Sequence, residues 1–362
     1  MLAYNSGSGW SRTHDYCHVN VQHVAELRAV RSMKILLYFL CIITPACYPK
    51  YPRLHHFRGI AMEMPYHIQI GKSLSIKQQI RVQSVIDSSF VFIHQCFDHW
   101  NPKSELSLLN QLPVLESKKL SPKLLQLFQI ADSMVEMSGA RYNPTLGNII
   151  ALWKKSSAFV DQKELQSMQE TLQWGNISIR DGIFSKRSHL VLDFDGIAKG
   201  LGIDLLLERL QSLGYTNIYV EWAGDIAACG NHPSGRHWQV AIRNPLSQMP
   251  DSEIIPLTNC AIATSGDYEQ CMEIDNKQYC HIIDPKSLRP IEMTEESIAS
   301  VTVMAPSCAV ADGLATSAMT FTNIESLLSW AHQMKEKIPG VSFRIFKRDN
   351  SSGKMQVSKY II

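Results

Sequence analysis

The stretch that decides both fold and site is Leu192–Gly200, with the sequence LDFDGIAKG. A strand-like apolar run ends here at a glycine turn, and helical spacing of apolar residues follows over Ile203–Leu213. Backbone N–H groups at a helix start bind anions, Lys199 adds a point charge, and Gly196 and Gly200 allow close backbone approach. The spacing matches neither the Walker loop nor the GxGxxG fingerprint. Taken alone, the segment therefore also fits an ordinary strand-to-helix turn.

Four further segments place polar side chains directly after predicted strands or along a predicted helix. They are Glu221–Ile226 (EWAGDI), Ala261–Tyr268 (AIATSGDY), Tyr279–Pro285 (YCHIIDP) and Ala311–Thr316 (ADGLAT). In the last segment, Asp312 and Thr316 lie four residues apart, so they share one face of a helix. A carboxylate and a hydroxyl are hard oxygen ligands that suit Mg²⁺. Each segment alone also fits a hairpin turn, a buried histidine or a helix cap, so the argument depends on their order.

The periodicity around these segments predicts helices and strands that do not alternate strictly. Helices begin at the serine caps Ser104 and Ser121, and apolar spacing of helical type predicts another helix over Ser75–Gln95. One more helix ends near Trp153. A further helix is predicted over 310–319, and strands over 61–70, 190–194, 215–221, 238–242, 261–264, 281–283, 299–304, 343–347 and 356–361. This pattern favours an α+β fold over a doubly wound sheet.

Composition and charge exclude several classes of protein. The chain has 362 residues and a formal net charge of +2, so nothing indicates a nucleic-acid-binding surface. Nine cysteines are present without any CxxC pair, which argues against a zinc knuckle, a thioredoxin-type site and a disulfide framework.

The N-terminal region predicts export. Met33 and Lys34 precede an apolar run over 35–43, too short to span a bilayer but typical of a signal peptide. We predict a signal peptide over 33–47 that ends at a lipobox-like Cys47, a linker over 48–60 and a catalytic domain over 61–362. Residues 1–32 are predicted to be an extension ahead of the true start at Met33. A plain secretory signal and a short N-terminal anchor are the alternatives to lipidation of Cys47.

The five segments, taken in their order along the chain, resemble the FAD:protein FMN transferase (ApbE) family. Met62 and the segment Trp100–Ser107 (WNPKSELS), which precede them, share this resemblance. The resemblance covers residues 61–362 and implies a single T-fold-like α+β domain with FAD in a cleft. It implies Mg²⁺-dependent transfer of FMN from FAD to a threonine or serine hydroxyl of an acceptor flavoprotein, with release of AMP. Mn²⁺ is the alternative metal.

The family's usual acceptors and location are implied by the same resemblance. Acceptors are subunits of respiratory flavoproteins such as the sodium-translocating NADH:quinone reductase. Family members are often lipoproteins, in agreement with the separate interpretation of Cys47. We therefore expect an exported protein, anchored by lipid at the periplasmic face of the inner membrane.

The resemblance also assigns roles to residues. The metal ligands are Gly196, through its carbonyl, with Asp312 and Thr316. Lys199 acts on the phosphates, and His281 or Asp284 accepts the proton of the acceptor hydroxyl. The residues expected to bind FAD are Met62, Trp100, Asn143, Thr145, Asp193, Lys199, Glu221, Gly224, Asp225, Ser265, Gly266, Asp267 and Ile283.

Three places depart from the family pattern and keep a flavin-binding lipoprotein without turnover open as an alternative. Glu63-Met64 replaces Gly-Thr, Asn143 replaces an aspartate, and Trp222-Ala223 replaces Leu-Gly. The expected metal ligands and Lys199 are retained, which favours catalysis. The alternatives are a Mg²⁺-dependent FAD pyrophosphatase, in which water replaces the acceptor hydroxyl, and a flavin-binding lipoprotein without turnover.

Overall fold

The structure, a computed structural model, describes residues 53–156, 160–245, 252–268, 271–350 and 356–362. The predicted extension, the signal peptide and Cys47 lie outside these residues. In the described ranges, no helix combines the length and the apolar character that crossing a bilayer requires.

An eight-stranded antiparallel sheet forms the centre of the domain, in the spatial order β1-β2-β6-β7-β10-β14-β15-β16. The strands are β1 (His55–Ala61), β2 (Met64–Ile70), β3 (Ser117–Lys119), β4 (Ile177–Arg180), β5 (Ile183–Lys186), β6 (Ile218–Trp222), β7 (Asp225–Cys229), β8 (Trp238–Arg243), β9 (Ser252–Leu257), β10 (Cys260–Gly266), β11 (Cys271–Ile274), β12 (Lys277–Asp284), β13 (Arg289–Glu292), β14 (Ile298–Ala305), β15 (Ser342–Asp349) and β16 (Gln356–Ile361). The remaining strands form the sheets β11-β12-β13, β3-β5-β4 and β8-β9. The antiparallel pairing confirms the α+β prediction.

Several helices begin at residues whose side chains cap them. The helices are α1 (Ile76–Cys96), α2 (Glu105–Asn110), α3 (Pro122–Ser138), α4 (Gly147–Lys155), α5 (Gln162–Gln169), α6 (Asp195–Ser212), α7 (Cys308–Met319) and α8 (Ile324–Lys337). Ser75 forms a capping box with Gln78 at the start of α1, and Ser104 and Ser121 cap α2 and α3. The helix starts predicted at the serine caps Ser104 and Ser121 are therefore confirmed, as is the helix that apolar spacing predicts from Ser75.

The two faces of the large sheet are covered differently. Helices α1, α6 and α7 pack against one face, where Ile68, Val220 and Val303 belong to the main hydrophobic core. The opposite face is covered by the β8–β9 hairpin, which buries Trp238 against Tyr219 in a second, smaller apolar cluster. Side chains alternate between these faces along each strand. Adjacent residues of β6 and β7 therefore belong to different environments.

Two predictions of local structure are wrong. The linker expected over 48–60 contains β1. His55–Ala61 pairs with β2 along its whole length, and the local composition gives no sign of this pairing. The strand expected over 190–194 is only an isolated bridge between Val191 and Leu146. The backbone of Leu192 bonds instead to the side chain of Asn110. The Leu192 N–H donates to Asn110 Oδ1, and Asn110 Nδ2 donates to the Leu192 carbonyl.

Helix α6 also begins earlier than expected. Its first residue is Asp195, whereas the apolar spacing placed the start at Ile203. Gly196, Lys199 and Gly200 therefore belong to the first turns of the helix and not to a loop before it. Glycines obscure the helical signal in sequence because they lower helix propensity.

Candidate functional site

A cleft of about 230 Å³ lies between the start of α6, the middle of α7, the helix α4 and the strands β10 and β12. The predicted site residues that line it are Asn143, Asp193, Gly196, Lys199, Ser265, Gly266, His281, Ile283, Asp312 and Thr316. The structure thus brings together residues from four of the five segments that the sequence singled out, with the fifth contributing through Asp225.

Helices α6 and α7 touch through their backbones on one side of the cleft. A Cβ atom at Gly200 would lie 2.5 Å from the carbonyl oxygen of Cys308, so only glycine permits this approach. The Asp204 carboxylate accepts hydrogen bonds from the N–H groups of Cys308 (2.8 Å) and Ala309 (3.0 Å) at the start of α7. The contact fixes α7 along its axis, and with it Asp312.

The expected metal ligands converge at this helix contact. A Cβ at Gly196 would lie 3.0 Å from Thr316 Oγ1, so the first turn of α6 directly faces the Thr316 hydroxyl. Asp312 Oδ2 accepts a hydrogen bond from Gly200 N (3.1 Å). In an α-helix the amide of residue 200 also pairs with the carbonyl of residue 196, so the Gly196 carbonyl lies on the side of α6 that Asp312 contacts. Residues that offer a carbonyl, a carboxylate and a hydroxyl oxygen therefore line the same part of the cleft, and this donor set fits a hard divalent cation.

The electrostatics of Asp312 support the same conclusion. Its side chain is buried, and burial together with the nearby Asp225 carboxylate raises the pKa of Asp312 to about 8. Lys199 and the Gly200 amide oppose this shift. A buried carboxylate that resists ionisation in this way gains most from a bound cation.

Lys199 is held toward the cleft by a buried partner. Its Nζ lies 2.8 Å from Asp225 Oδ2, and Asp225 Oδ1 accepts from the Thr264 amide at 3.3 Å. Burial opposes the charged form, but the Asp225 and Asp312 carboxylates raise the pKa of Lys199 above its usual value. The ammonium group therefore stays charged and keeps donors for an anionic ligand. Asp225 positions Lys199 and does not itself line the cleft.

Strands β10 and β12 provide the opposite wall. Ser265 Oγ lies 3.4 Å from Thr316 Oγ1, which links the end of β10 to α7. His281 and Ile283 line the cleft from β12. Asp284 instead closes the following turn, where its oxygens accept from the N–H groups of Lys286 and Ser287 and from the Ser287 hydroxyl.

Two further predicted residues hold the surrounding loops. Asp267 is buried and forms a bidentate ion pair with Arg348 of β15, which ties the end of β10 to the closing strands. The Thr145 hydroxyl is buried and bonds to Asn143 Oδ1 and the Leu172 carbonyl. The structure places Asp267 and Thr145 behind the cleft wall, while Asn143 lines it.

The remaining predicted residues lie outside the cleft. Met62 and Gly224 occupy the β1–β2 and β6–β7 turns, which adjoin through a 3.0 Å bond from Ala223 N to the Pro65 carbonyl. The Glu221 carboxylate is directed away from α6, where it contacts Tyr219 Oη at 3.3 Å. Trp100 is 68% exposed, and its ring is tilted by 39° against that of His99. Lys154 Nζ lies 4.7 Å from the centroid of the Trp100 ring.

Sequence reasoning missed several residues that the structure places in the cleft. They are Arg141, Tyr142, Leu146, Ile150, Lys154, Asp195, Thr264, Ile282, Pro285 and Thr320. Asp195 lies inside the opening motif and Tyr142 directly precedes Asn143, so proximity to a motif was the available signal for both. Burial and the charge of Asp195 raise the pKa of Asp193 to about 6. The start of α6 is therefore rich in negative charge.

Comparison with known proteins agrees with this geometry. The sequence profile described as the ApbE family matches residues 62–341. A FAD:protein FMN transferase of Chlamydia muridarum is 38% identical over 281 residues, which are 76% of this chain and 87% of that protein. Another, from Chlamydia pneumoniae, is 32% identical over 306 residues, which are 83% of this chain and 94% of that protein.

Solved structures show the same fold. The flavin transferase ApbE from Vibrio cholerae superposes with a TM-score of 0.74 at 28% identity, covering 85% of this chain and 97% of that one. The apo form of the Pseudomonas stutzeri flavinyl transferase ApbE gives a TM-score of 0.73 at 24% identity and covers 85% of this chain and 94% of that one. With the profile match and the curated relatives, these likenesses show that the chain belongs to the ApbE family.

Proposed function

We propose that this chain is a FAD:protein FMN transferase that moves FMN from FAD to a serine or threonine hydroxyl of an acceptor flavoprotein and releases AMP, with Mg²⁺ as its metal. The observation that carries the proposal is the cleft that a charged Lys199 lines together with Gly196, Asp312 and Thr316. A group of oxygen ligands for a cation, next to an ammonium group, suits the pyrophosphate of FAD because both positive charges can balance its negative charge. The named activity of the relatives supports the same reaction.

The metal would be held by the Gly196 carbonyl, the Asp312 carboxylate and the Thr316 hydroxyl. When bound, Mg²⁺ supplies Lewis-acid stabilisation of the charge that develops on phosphate oxygens. Mn²⁺ accepts the same oxygen ligands and is the alternative. The close approach of Gly196 to Thr316 supports this assignment, because any larger residue would displace the hydroxyl.

Lys199 supplies the second positive charge. Its ammonium group, fixed by Asp225, donates hydrogen bonds to a phosphate oxygen of FAD and stabilises the charge of the leaving AMP. Such a fixed donor needs no reorganisation during the reaction, which is the usual source of electrostatic catalysis. The N-terminal turn of α6 adds the favourable end of a helix dipole.

His281 is the proposed general base. It lines the cleft, whereas Asp284 uses its oxygens to hold the turn after β12. The acceptor hydroxyl loses its proton to His281 as its oxygen forms a bond to the FMN phosphorus. The bond from that phosphorus to the bridging oxygen breaks, and AMP leaves with the bridging oxygen.

We also propose the cellular setting that the sequence indicates. A signal peptide ending at Cys47 would place a lipid-anchored protein at the periplasmic face of the inner membrane. Its acceptors would be flavoprotein subunits exposed there, such as those of the sodium-translocating NADH:quinone reductase. Mass analysis of the membrane-extracted protein would test this: a diacylglycerol adduct on Cys47 supports the anchor, and an unmodified Cys47 contradicts it.

One experiment separates the transferase from the two alternatives. The full-length chain is incubated with FAD, Mg²⁺ and an acceptor that carries a Ser/Thr-Gly-Ala-Ser/Thr-like motif. We expect the intact mass of the acceptor to rise by one FMN, with AMP formed in equal amount. EDTA and Asp312→Ala are expected to abolish both products.

The other outcomes have distinct meanings. AMP and FMN released steadily without labelling of any acceptor would show a pyrophosphatase. Tightly retained FAD with no AMP under any metal condition would show a flavin-binding protein without turnover. Labelling that persists unchanged without divalent metal would contradict the proposed role of the Gly196, Asp312 and Thr316 oxygens.

A further inference from the structure

The segment that leads into α6 is held by side chains where a neighbouring strand would otherwise hold it. Over 190–194, its one strand-like pairing is the isolated bridge between Val191 and Leu146. The residue before α6 forms no side-chain cap. Gly196 and Lys199, in the first turns of this helix, nevertheless line the cleft. Their position therefore depends on what holds the segment that precedes them.

Asn110, the last residue of α2, takes the place of a strand partner at Leu192. Its Oδ1 accepts a hydrogen bond from the Leu192 N–H at 2.7 Å, and its Nδ2 donates to the Leu192 carbonyl at 2.9 Å. The asparagine side chain thus offers the same acceptor and donor that a residue of a paired strand would offer. Because both bonds end on one residue, they fix its orientation as well as its place.

Lys186, the last residue of β5, is a buried lysine that binds the same segment. It is 4% exposed, and among the described residues it forms no ion pair with an acidic side chain. Its Nζ donates instead to the Asn110 carbonyl at 2.8 Å and to the Leu190 carbonyl at 3.3 Å. Burial lowers the pKa of Lys186. A buried ammonium group is costly, so two carbonyl partners at this place indicate a specific structural role.

The two residues join three parts of the chain at one point. Lys186 binds the Asn110 carbonyl, which belongs to the last turn of α2, where carbonyl groups lack helical partners. The Asn110 side chain in turn binds Leu192, so the segment is held to α2 and β5 at both Leu190 and Leu192. Only four residues separate Leu192 from Gly196. A shift of the segment would therefore move the first turn of α6 within the cleft.

We propose that Asn110 and Lys186 are positioning residues of the cleft, which place the Gly196 carbonyl opposite Asp312 and Thr316. Neither of the two lines the cleft, so they act through the backbone that they hold and touch no ligand. The inference rests on the metal site of the proposed transferase. Residues one step removed from metal ligands typically change metal affinity about 10- to 100-fold when they are replaced.

The test measures Mn²⁺ binding by the full-length chain without flavin, so its result does not depend on the transferase activity. Free Mn²⁺ is measured by electron paramagnetic resonance during a titration with MnCl₂. Asp312→Asn identifies the ion at the proposed metal site, because this variant should lose it. For the same ion, we expect the dissociation constant to rise about tenfold in Asn110→Ala. Lys186→Met should raise it less, because Lys186 holds the segment two residues further from Gly196.

Hydrogen–deuterium exchange separates positioning from a general loss of stability. In Asn110→Ala, we expect faster exchange in peptides that cover 190–198 and unchanged exchange in peptides from β14 and β15 of the central sheet. Asn217→Ala is the matched control. Asn217 is also half-buried and accepts from the Asn231 N–H at 2.9 Å, but it precedes β6 at the end opposite to Asp225. Its replacement should change neither the Mn²⁺ affinity nor the exchange over 190–198.

Both variants are expected to fold, because α6 is also held by its backbone contact with α7. If Asn110→Ala does not fold, the affinity and the exchange of Lys186→Met decide alone. Wild-type affinity in both variants would overturn the inference and leave the proposed function intact. An equal loss of affinity in Asn217→Ala would also overturn it, since the effect would then be general. If Asp312→Asn binds Mn²⁺ as tightly as the wild type, the proposed metal site is wrong and the inference falls with it.

Discussion

The cleft has two regions with different physical character, its floor and its rim. The floor, defined as Gly196, Lys199, Asp312 and Thr316, lies where α6 and α7 are in backbone contact, and its charged groups are largely buried. The rim is defined as His99, Trp100, Lys154 and Asp195. At the rim, Asp195 lines the cleft and is 65% exposed, and Trp100, which lies just outside the cleft beside Lys154, is 68% exposed. Water screens charges at the rim and hardly at the floor. We therefore expect the floor to control the chemical step and the rim to control binding.

The largest effect is expected from Asp312→Asn. The amide keeps the shape of the side chain and can still accept from Gly200 N, but it lacks the charge that a metal needs. Transferase activity should fall by about 10³-fold, the loss typical of removing a central electrostatic group. Activity is measured as AMP released per minute at saturating FAD and Mg²⁺.

The same variant should be more stable than the wild type when no divalent metal is present. Because the pKa of Asp312 is raised to about 8 in the folded protein, its carboxyl group keeps a proton between about pH 4 and pH 8. In the unfolded chain the same group loses this proton near pH 4. Wild-type stability therefore decreases as the pH rises from about 4 to 8. The asparagine side chain of the variant does not titrate, so Tm in EDTA at pH 8 should rise relative to the wild type. A variant Tm below that of the wild type would contradict the shift.

A smaller effect, about 10²-fold in kcat, is expected from Lys199→Met. This change also leaves Asp225 buried without its partner, which costs about 3–5 kcal/mol of stability. The double variant Lys199→Met/Asp225→Asn removes both charges and is the control. It should recover the melting temperature without recovering kcat. If kcat returns with stability, Lys199 supports the fold and not the reaction.

Gly200→Ala should act on the floor through packing alone. The added methyl group would meet backbone atoms of Cys308 and Ala309 at 2.5–2.7 Å, so α6 and α7 must separate. We expect the free energy of unfolding to fall by about 1–3 kcal/mol, measured by urea denaturation. Gly175→Ala is the control, since no heavy atom lies within 4 Å of the added carbon. Equal effects in both variants would contradict a close helix contact.

The sequence predicted the floor better than the rim, for a physical reason. Asp312 and Thr316 are four residues apart on one helix, so local periodicity alone places them together. Serine caps likewise predict the starts of α2 and α3, because a cap is a local interaction. His99 and Asp195 come from separate segments of the chain, and nothing local to either residue indicates the other.

The errors in the fold prediction have the same origin. The composition of residues 55–60 predicts a linker, whereas pairing with β2 makes these residues part of a strand. The backbone at Leu192 bonds to the Asn110 side chain in place of a neighbouring strand, which no periodicity can reveal. Tyr142 is buried in the wall of the cleft, and its hydroxyl has no hydrogen-bond partner among the described residues. Only the three-dimensional structure shows this.

The smallest effect is expected from Trp100→Ala at the rim. The indole contacts His99 and Lys154 but is mostly exposed, so its loss removes a stacking surface worth about 0.5–1.5 kcal/mol. The KM for FAD should rise about 3- to 10-fold while kcat stays within about twofold of the wild type. Trp100→Phe keeps an aromatic face and should restore most of the affinity. A 100-fold loss of kcat with unchanged KM would instead place Trp100 in the reaction itself, because an exposed ring that only binds substrate cannot lower the rate at saturation.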